Sequence, residues 1–322
     1  MSVLRPVILA ASGSSRLQRA VTGFPVSAAV VRRFVAGETR AELEPVVREL
    51  LADGRMVSVD FLGENTTDHR IAEETVAEYL DLIDLLADVW RAVSAAPADA
   101  RWVRPAEVSV KLSALGQALG PDGPGIAVEN LRTICRRAAE RGVWVTVDAE
   151  DHTTTTATLG TVHLLRSEFP WLAVAIQAYL YRSAEDCAAA AASGARIRLC
   201  KGAYREPAAV AHHRTADVDA AYRDCLATLM RGSGYPMVAT HDPAMIERTA
   251  LLARECDRAR GDLEYQMLFG VRPDEQRRLV AQGRAVRVYV PYGRQWYGYL
   301  TRRLAERPAN LMFFGRALLS RS

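Results

Sequence analysis

The sequence predicts an α/β chain closed as a (β/α)8 barrel of the TIM type, with helices ahead of the first strand and a C-terminal helix over the barrel mouth. Three observations predict it. Eight short β-rich segments recur along the 322 residues. Polar or glycine residues and then a helix-like stretch follow these segments, the signature of βαβ units and a parallel sheet. A doubly wound sheet would announce itself by G-x-G-x-x-G after the first strand, but that strand runs into "GENTTDHR".

In chain order, residues 1–50 read as a helical segment ("SAAVVRRFVAG", then "TRAELEPVVRELLADG"), and residues 51–322 as the barrel with its closing helix. The β-rich segments are "MVSVDFLG" (56–63), "EVSVKLSA" (107–114), "VWVTVDAED" (143–151), "AVAIQAYL" (173–180), "RIRLCKGAY" (196–204), "PMVATHD" (236–242), "LEYQMLFG" (263–270) and "AVRVYVPYG" (285–293). Helix-like intervals include 71–93 and 128–142, and the Ala-rich run 187–193 fits a packed helix face. In "YGYLTRRLAERPAN" (297–310), at ~100° per residue, Tyr299, Arg302, Arg303 and Glu306 fall within an arc of roughly 100° on one helix face.

Composition narrows the partners. Hydrophobic residues make up 49% and charged residues 25%, and 41 basic against 38 acidic residues leave a net charge of +3. So even a balance argues against nucleic acid as a partner. Five cysteines, an odd number with no C-x-x-C, argue against a disulfide framework or a zinc site and fit a reducing cytoplasm. No stretch of ~18 uncharged apolar residues is present to span a membrane. No metal site is expected.

Barrel chemistry sits at the C-terminal strand ends. Those ends supply Glu64, Lys111, Asp148 with Glu150, Gln177, Arg198 with Lys201, His241 with Asp242, Gln266 and Tyr289. Arg302 and Arg303 make either a surface pair with Glu306 or a forked clamp for a carboxylate, with phosphate as the competing ligand. Lys111 either forms a Schiff base, if its pKa is depressed, or pairs with Asp148. Arg198, between Ile197 and Leu199, points into a confined space and needs an anionic or electron-rich partner there. Asp148 or Glu150 would serve as that partner. Gly202 and Ala203 leave room for a flat ligand against the backbone. His241 reads as a hydrogen-bonded structural residue before a base, and Cys200 as packing.

Taken in order, "VSVKLSAL", "VDAED", "RLCKGAYREP", "ATHD" and "RVYVPYG…WYGYLTRRLAERPAN" resemble the motifs of proline dehydrogenases, over about residues 56–314. The resemblance implies a distorted (β/α)8 barrel that binds FAD without a Rossmann fold. It also implies oxidation of L-proline to Δ1-pyrroline-5-carboxylate, the first step of proline catabolism. Arg302 and Arg303, with Glu306 beside them, would clamp the proline carboxylate. Lys111, Asp148, Tyr204, Tyr289 and Tyr299 would line the substrate pocket, with Leu268 packing on the ring. Arg198 would sit at the flavin N5 and Gln177 at the isoalloxazine edge. Ala149, Lys201, Gly202, Ala203, Thr240 and His241 would hold the rest of the FAD. A quinone acceptor, a separate pyrroline-5-carboxylate dehydrogenase, and a cytoplasmic location with peripheral contact at the inner membrane face are implied with it.

Overall fold

All eight β-rich segments are strands in the computed structural model, which describes residues 31–93 and 103–300. The described elements are α1 (Arg40–Ala52), β1 (Met56–Phe61), α2 (His69–Val93), β2 (Ala106–Val110), α3 (Gly123–Arg141), β3 (Trp144–Val147), α4 (Thr155–Leu165) and β4 (Ala173–Gln177). They continue with α5 (Ser183–Ala192), β5 (Arg196–Cys200), α6 (Thr215–Arg231), β6 (Tyr235–Ala239), α7 (Pro243–Glu255), β7 (Glu264–Leu268), α8 (Pro273–Ala281) and β8 (Val286–Tyr292). Every strand lies parallel to the next, and β8 pairs back onto β1 from Met56↔Arg287 to Phe61↔Tyr292, so the sheet closes.

Period-two alternation decides which side chains enter the barrel. The aliphatic set, for example Val57 and Val59, Val108 and Val110, Val145 and Val147, Ile197 and Leu199, belongs to one apolar core with the helices. Burying such a side chain contributes on the order of 1.5–3 kcal/mol. α1 joins that core through Leu43, Val47 and Leu50. Its first turn is fixed by Thr39 and Glu42, each side chain accepting from the other's backbone N–H, at 3.3 and 3.1 Å.

The alternate set is polar and meets inside the barrel. Glu107 accepts from Arg196 Nη2, Arg198 Nη2 and Ser58 Oγ, each at 2.8 Å. Arg287 forks onto Glu264 at 2.7 and 3.0 Å, and both side chains are fully buried. Buried charges are tolerable only when paired in this way. Burial alone pushes Glu107 up, but Arg287, Arg196 and Arg198 together outweigh it and hold the carboxyl at about 2, below its ordinary 4.5. A depressed carboxyl contributes stability that is full above about 4.5 and is lost as pH falls through about 2. The wild-type thermal midpoint is therefore expected to fall steeply across that interval, and that of Glu107→Gln to fall less. Parallel curves would show that Glu107 carries none of the acid sensitivity.

The mouth end is closed by the two ends of the described chain. Residues 31–34 are helical, and a helix begins at 296. Phe34, Val35, Leu62, Trp296, Tyr297, Tyr299 and Leu300 form a second apolar cluster, with Tyr289 packed against it. Backbone bonds from Ala36 N–H to Pro291 O and from Gly293 N–H to Gly37 O, both 2.9 Å, tie the N-terminal segment to the end of β8. Trp296 adds its indole N–H to Glu38 at 3.0 Å. Leu300 is buried as well.

Candidate active site at the barrel mouth

A cavity of about 450 Å³ opens at the C-terminal strand ends, a volume ordinary for a small-ligand site. Each strand adds to its wall. β2 and β3 lead into Lys111, Asp148 and Ala149, and β4 ends on Gln177. β5 contributes Arg198 and then Lys201, Gly202, Ala203 and Tyr204. Thr240 and His241 follow β6, Leu268 ends β7, Tyr289 comes from β8, and Tyr299 reaches in from the mouth helix. Apart from Glu64 and Glu150, the candidate residues within the described chain thus line one cavity. Arg302, Arg303 and Glu306 lie outside the described residues.

Arg198 is the centre of the floor and is almost wholly buried, at 3% exposure. Its Nε donates to Gln266 Oε1 at 2.6 Å, and its Nη1 to Ser109 Oγ at 2.6 Å and Asp148 Oδ1 at 2.5 Å. Its Nη2 donates to Ser58 Oγ and Glu107 Oε1, both at 2.8 Å. A guanidinium has five N–H donors, and all are engaged, so the ion cannot swing or rotate freely. Its ion-pair partners are Asp148 and Glu107. Glu150, the alternative expected from the sequence, turns away and accepts from the Ser113 hydroxyl and from the Ser113 backbone N–H at 3.1 Å. Burial raises the Glu150 pKa.

Lys111 does pair with Asp148, at 3.6 Å, but its main partner is Asp60, whose two oxygens lie 2.9 and 2.8 Å from Nζ. Asp60 was not read as a site residue from the sequence. It lines the cavity where Glu64 was expected, because β1 stops at Phe61 and its last inward side chain is Asp60. Burial pushes Lys111 down, but Asp60 and Asp148 reverse the effect and leave its pKa raised. A Schiff-base lysine needs a neutral amine, so this site opposes that reading. At Asp60, by contrast, burial dominates and raises the pKa against the pull of Lys111.

Tyr289 donates its hydroxyl to Asp148 Oδ2 at 2.7 Å, and its ring centroid lies 5.3 Å from the Arg198 guanidinium carbon. Lys201 bridges Asp219 and Asp242 at 2.5 and 2.9 Å. Gln177 donates to Glu150 O at 2.8 Å and accepts from the Ala203 N–H at 3.5 Å, joining the third, fourth and fifth loops. His241 is the structural residue expected, since its Nε2 accepts from the Leu268 N–H at 2.8 Å. It also faces the cavity.

Gly202, expected to give a flat ligand access to the backbone, faces the cavity. The protein constrains it as well, since a Cβ there would lie 2.3 Å from the ring of Tyr179, and φ is +120°. Glycine is required by that packing and that dihedral. Cys200, read as a packing residue, is half-buried and lines the cavity.

Residues 44–316 match the family model described as proline dehydrogenase. The proline dehydrogenase of Deinococcus radiodurans is 36% identical over 292 residues, 90% of each chain. Proline dehydrogenase 1 of Bacillus subtilis (strain 168) is 35% identical over 290 residues, 90% of this chain and 91% of the relative. The crystal structure of proline utilization A from Bdellovibrio bacteriovorus, inactivated by N-propargylglycine, superposes with a TM-score of 0.79 at 27% identity. That likeness covers 86% of this chain but spans about a third, 32%, of the longer one. A family match over most of the barrel and identities above 30% along nearly the whole chain lead to one conclusion: this chain belongs to the proline dehydrogenase family.

Proposed function

We propose that this enzyme oxidises L-proline to Δ1-pyrroline-5-carboxylate with FAD, opening proline catabolism. The observation that carries the reading is the convergence of the described candidate side chains on one cavity whose floor is a locked guanidinium. The donor set suits a flavin. Gln177 supplies amide groups for a heteroaromatic edge, Lys201 an ammonium, and Thr240 and His241 a hydroxyl and a ring for the remainder. Ala149, Gly202 and Ala203 complete that wall with small residues. The bound flavin would accept the hydride from proline C5, and the chain's own residues do the rest.

The substrate side of the cavity is built for a small zwitterion. Arg302 and Arg303, oriented by Glu306, would take the carboxylate and so hold the ring in register. Their charge opposes the ring ammonium and favours the free amine from which hydride leaves. Lys111, Asp148, Tyr204, Tyr289 and Tyr299 would surround the ring, with Leu268 against its apolar face. Arg198 would stabilise negative charge on the reduced cofactor. Because its five donors stay with protein partners, it acts through its field rather than by a new bond. Electrons would pass to a quinone-type acceptor, and a cytoplasmic enzyme would reach it by peripheral contact at the membrane. A separate dehydrogenase would consume the pyrroline-5-carboxylate. Among the described residues no helix is long and apolar enough to cross a membrane.

The purified protein is expected to be yellow, with flavin absorption that bleaches when proline is added without oxygen. A colourless protein that stays colourless after incubation with FAD would overturn this reading.

A further inference from the structure

Glu206 is a buried carboxylate that does not line the cavity. It lies in the irregular stretch 201–214 between β5 and α6. Its Oε1 accepts from the His152 backbone N–H at 2.9 Å and from the Tyr179 hydroxyl at 3.2 Å. Its Oε2 lies 2.5 Å from His152 Nδ1, and its backbone carbonyl lies 2.9 Å from His213 Nε2. His152 follows β3, Tyr179 follows β4, and Glu206 and His213 follow β5. One carboxylate thus gathers three loops on the outer side of the cavity wall.

The connection to the wall runs through Tyr179. Its ring occupies the space a Gly202 side chain would need, with the nearest ring atom 2.3 Å from the Cβ position. Its backbone N–H donates to Lys201 O at 3.0 Å, and its carbonyl accepts from the His212 N–H at 2.8 Å. Burial first, then the Glu206 carboxylate, raises the Tyr179 hydroxyl pKa, so this hydroxyl remains a donor. Where the Tyr179 ring stands therefore sets where Gly202, Ala203 and Tyr204 stand, and those three face the cavity.

We propose that Glu206 is a positioning residue for the reaction: by fixing Tyr179 and His152 it sets the cofactor-facing backbone of Gly202 and Ala203 and the place of Tyr204. This rests on the flavin reading above. The carboxylate does not line the cavity, so its removal should act first on cofactor affinity and turnover, and on the capture of proline only through Tyr204.

The test compares Glu206→Ala, Glu206→Gln and Tyr179→Phe in the full chain. Gln keeps an oxygen that can accept from the Tyr179 hydroxyl, whereas Ala keeps none. Glu206→Ala is expected to raise the FAD dissociation constant of the apoprotein at least tenfold and to lower kcat, with a smaller change in proline KM through Tyr204. Glu206→Gln should recover most of both effects, and Tyr179→Phe should reproduce part of them. Amide exchange at Ala203, Tyr204 and His212 should quicken in Glu206→Ala and stay slow in the barrel strands. Unchanged FAD affinity and kcat in Glu206→Ala would overturn the proposal, and so would faster exchange spread through all the strands. If the wild type takes up no flavin, the cofactor reading falls, and the exchange pattern alone decides the role of Glu206.

Discussion

Arg198→Met is expected to be the most damaging single substitution in the barrel. It leaves Glu107 with one buried cation fewer and takes from Asp148 its closest ionic partner. Breaking a buried pair by removing one member costs roughly 3–5 kcal/mol. For a domain of this size the thermal midpoint should drop by on the order of 10 °C. Arg198→Lys should recover little, because an ammonium cannot reproduce a planar fork holding Gln266, Ser109, Asp148, Ser58 and Glu107 together. The catalytic part is separable from the structural part. Well below both midpoints, flavin reduction in a single turnover should slow in Arg198→Met far more than proline binding weakens, because the guanidinium acts on charge that exists only as the cofactor is reduced. A folded variant with an unchanged reduction rate would confine Arg198 to structure.

The second large effect is expected at Arg302 and Arg303. Replacing either by Met removes a charge-assisted bond contributing on the order of 1.5–3 kcal/mol. Proline kcat/KM should fall at least tenfold for each, and flavin content should stay near wild type. Loss of flavin in proportion to activity would assign the pair to the cofactor instead. The mouth helix supplies the context. Tyr299, one helical turn before Arg302 in the sequence, already faces the cavity, and Leu300 is buried in the apolar cluster of the mouth.

The barrel was legible because alternation within short segments is a local property. "MVSVDF", "EVSVKL" and "VRVYV" each show their inward residues without reference to any other part of the chain. The site was legible to the same extent, as the last inward residue of each strand. The failures came where local pattern stops. Extending β1 two residues too far put Glu64 in the place that Asp60 occupies, and with it the main partner of Lys111 went unseen. The second constraint on Gly202 went unseen because the ring of Tyr179 belongs to another loop. Glu206 gave no signal at all. A carboxylate before a proline looks like any loop residue until folding sets it against His152 and Tyr179.

The inward charges are divided unevenly along the chain. The stretch from β1 through β4 carries three carboxylates, Asp60, Glu107 and Asp148, against the single ammonium of Lys111. The stretch from β5 through β8 carries three guanidiniums, Arg196, Arg198 and Arg287, against the single carboxylate of Glu264. Each half alone would have to hide a surplus of like charge, so neither half is a stable stopping point during assembly. Together they cancel. Two copies of the same half would repel across the face that the other half should cover. The arrangement therefore favours the joining of unlike halves over the pairing of like ones.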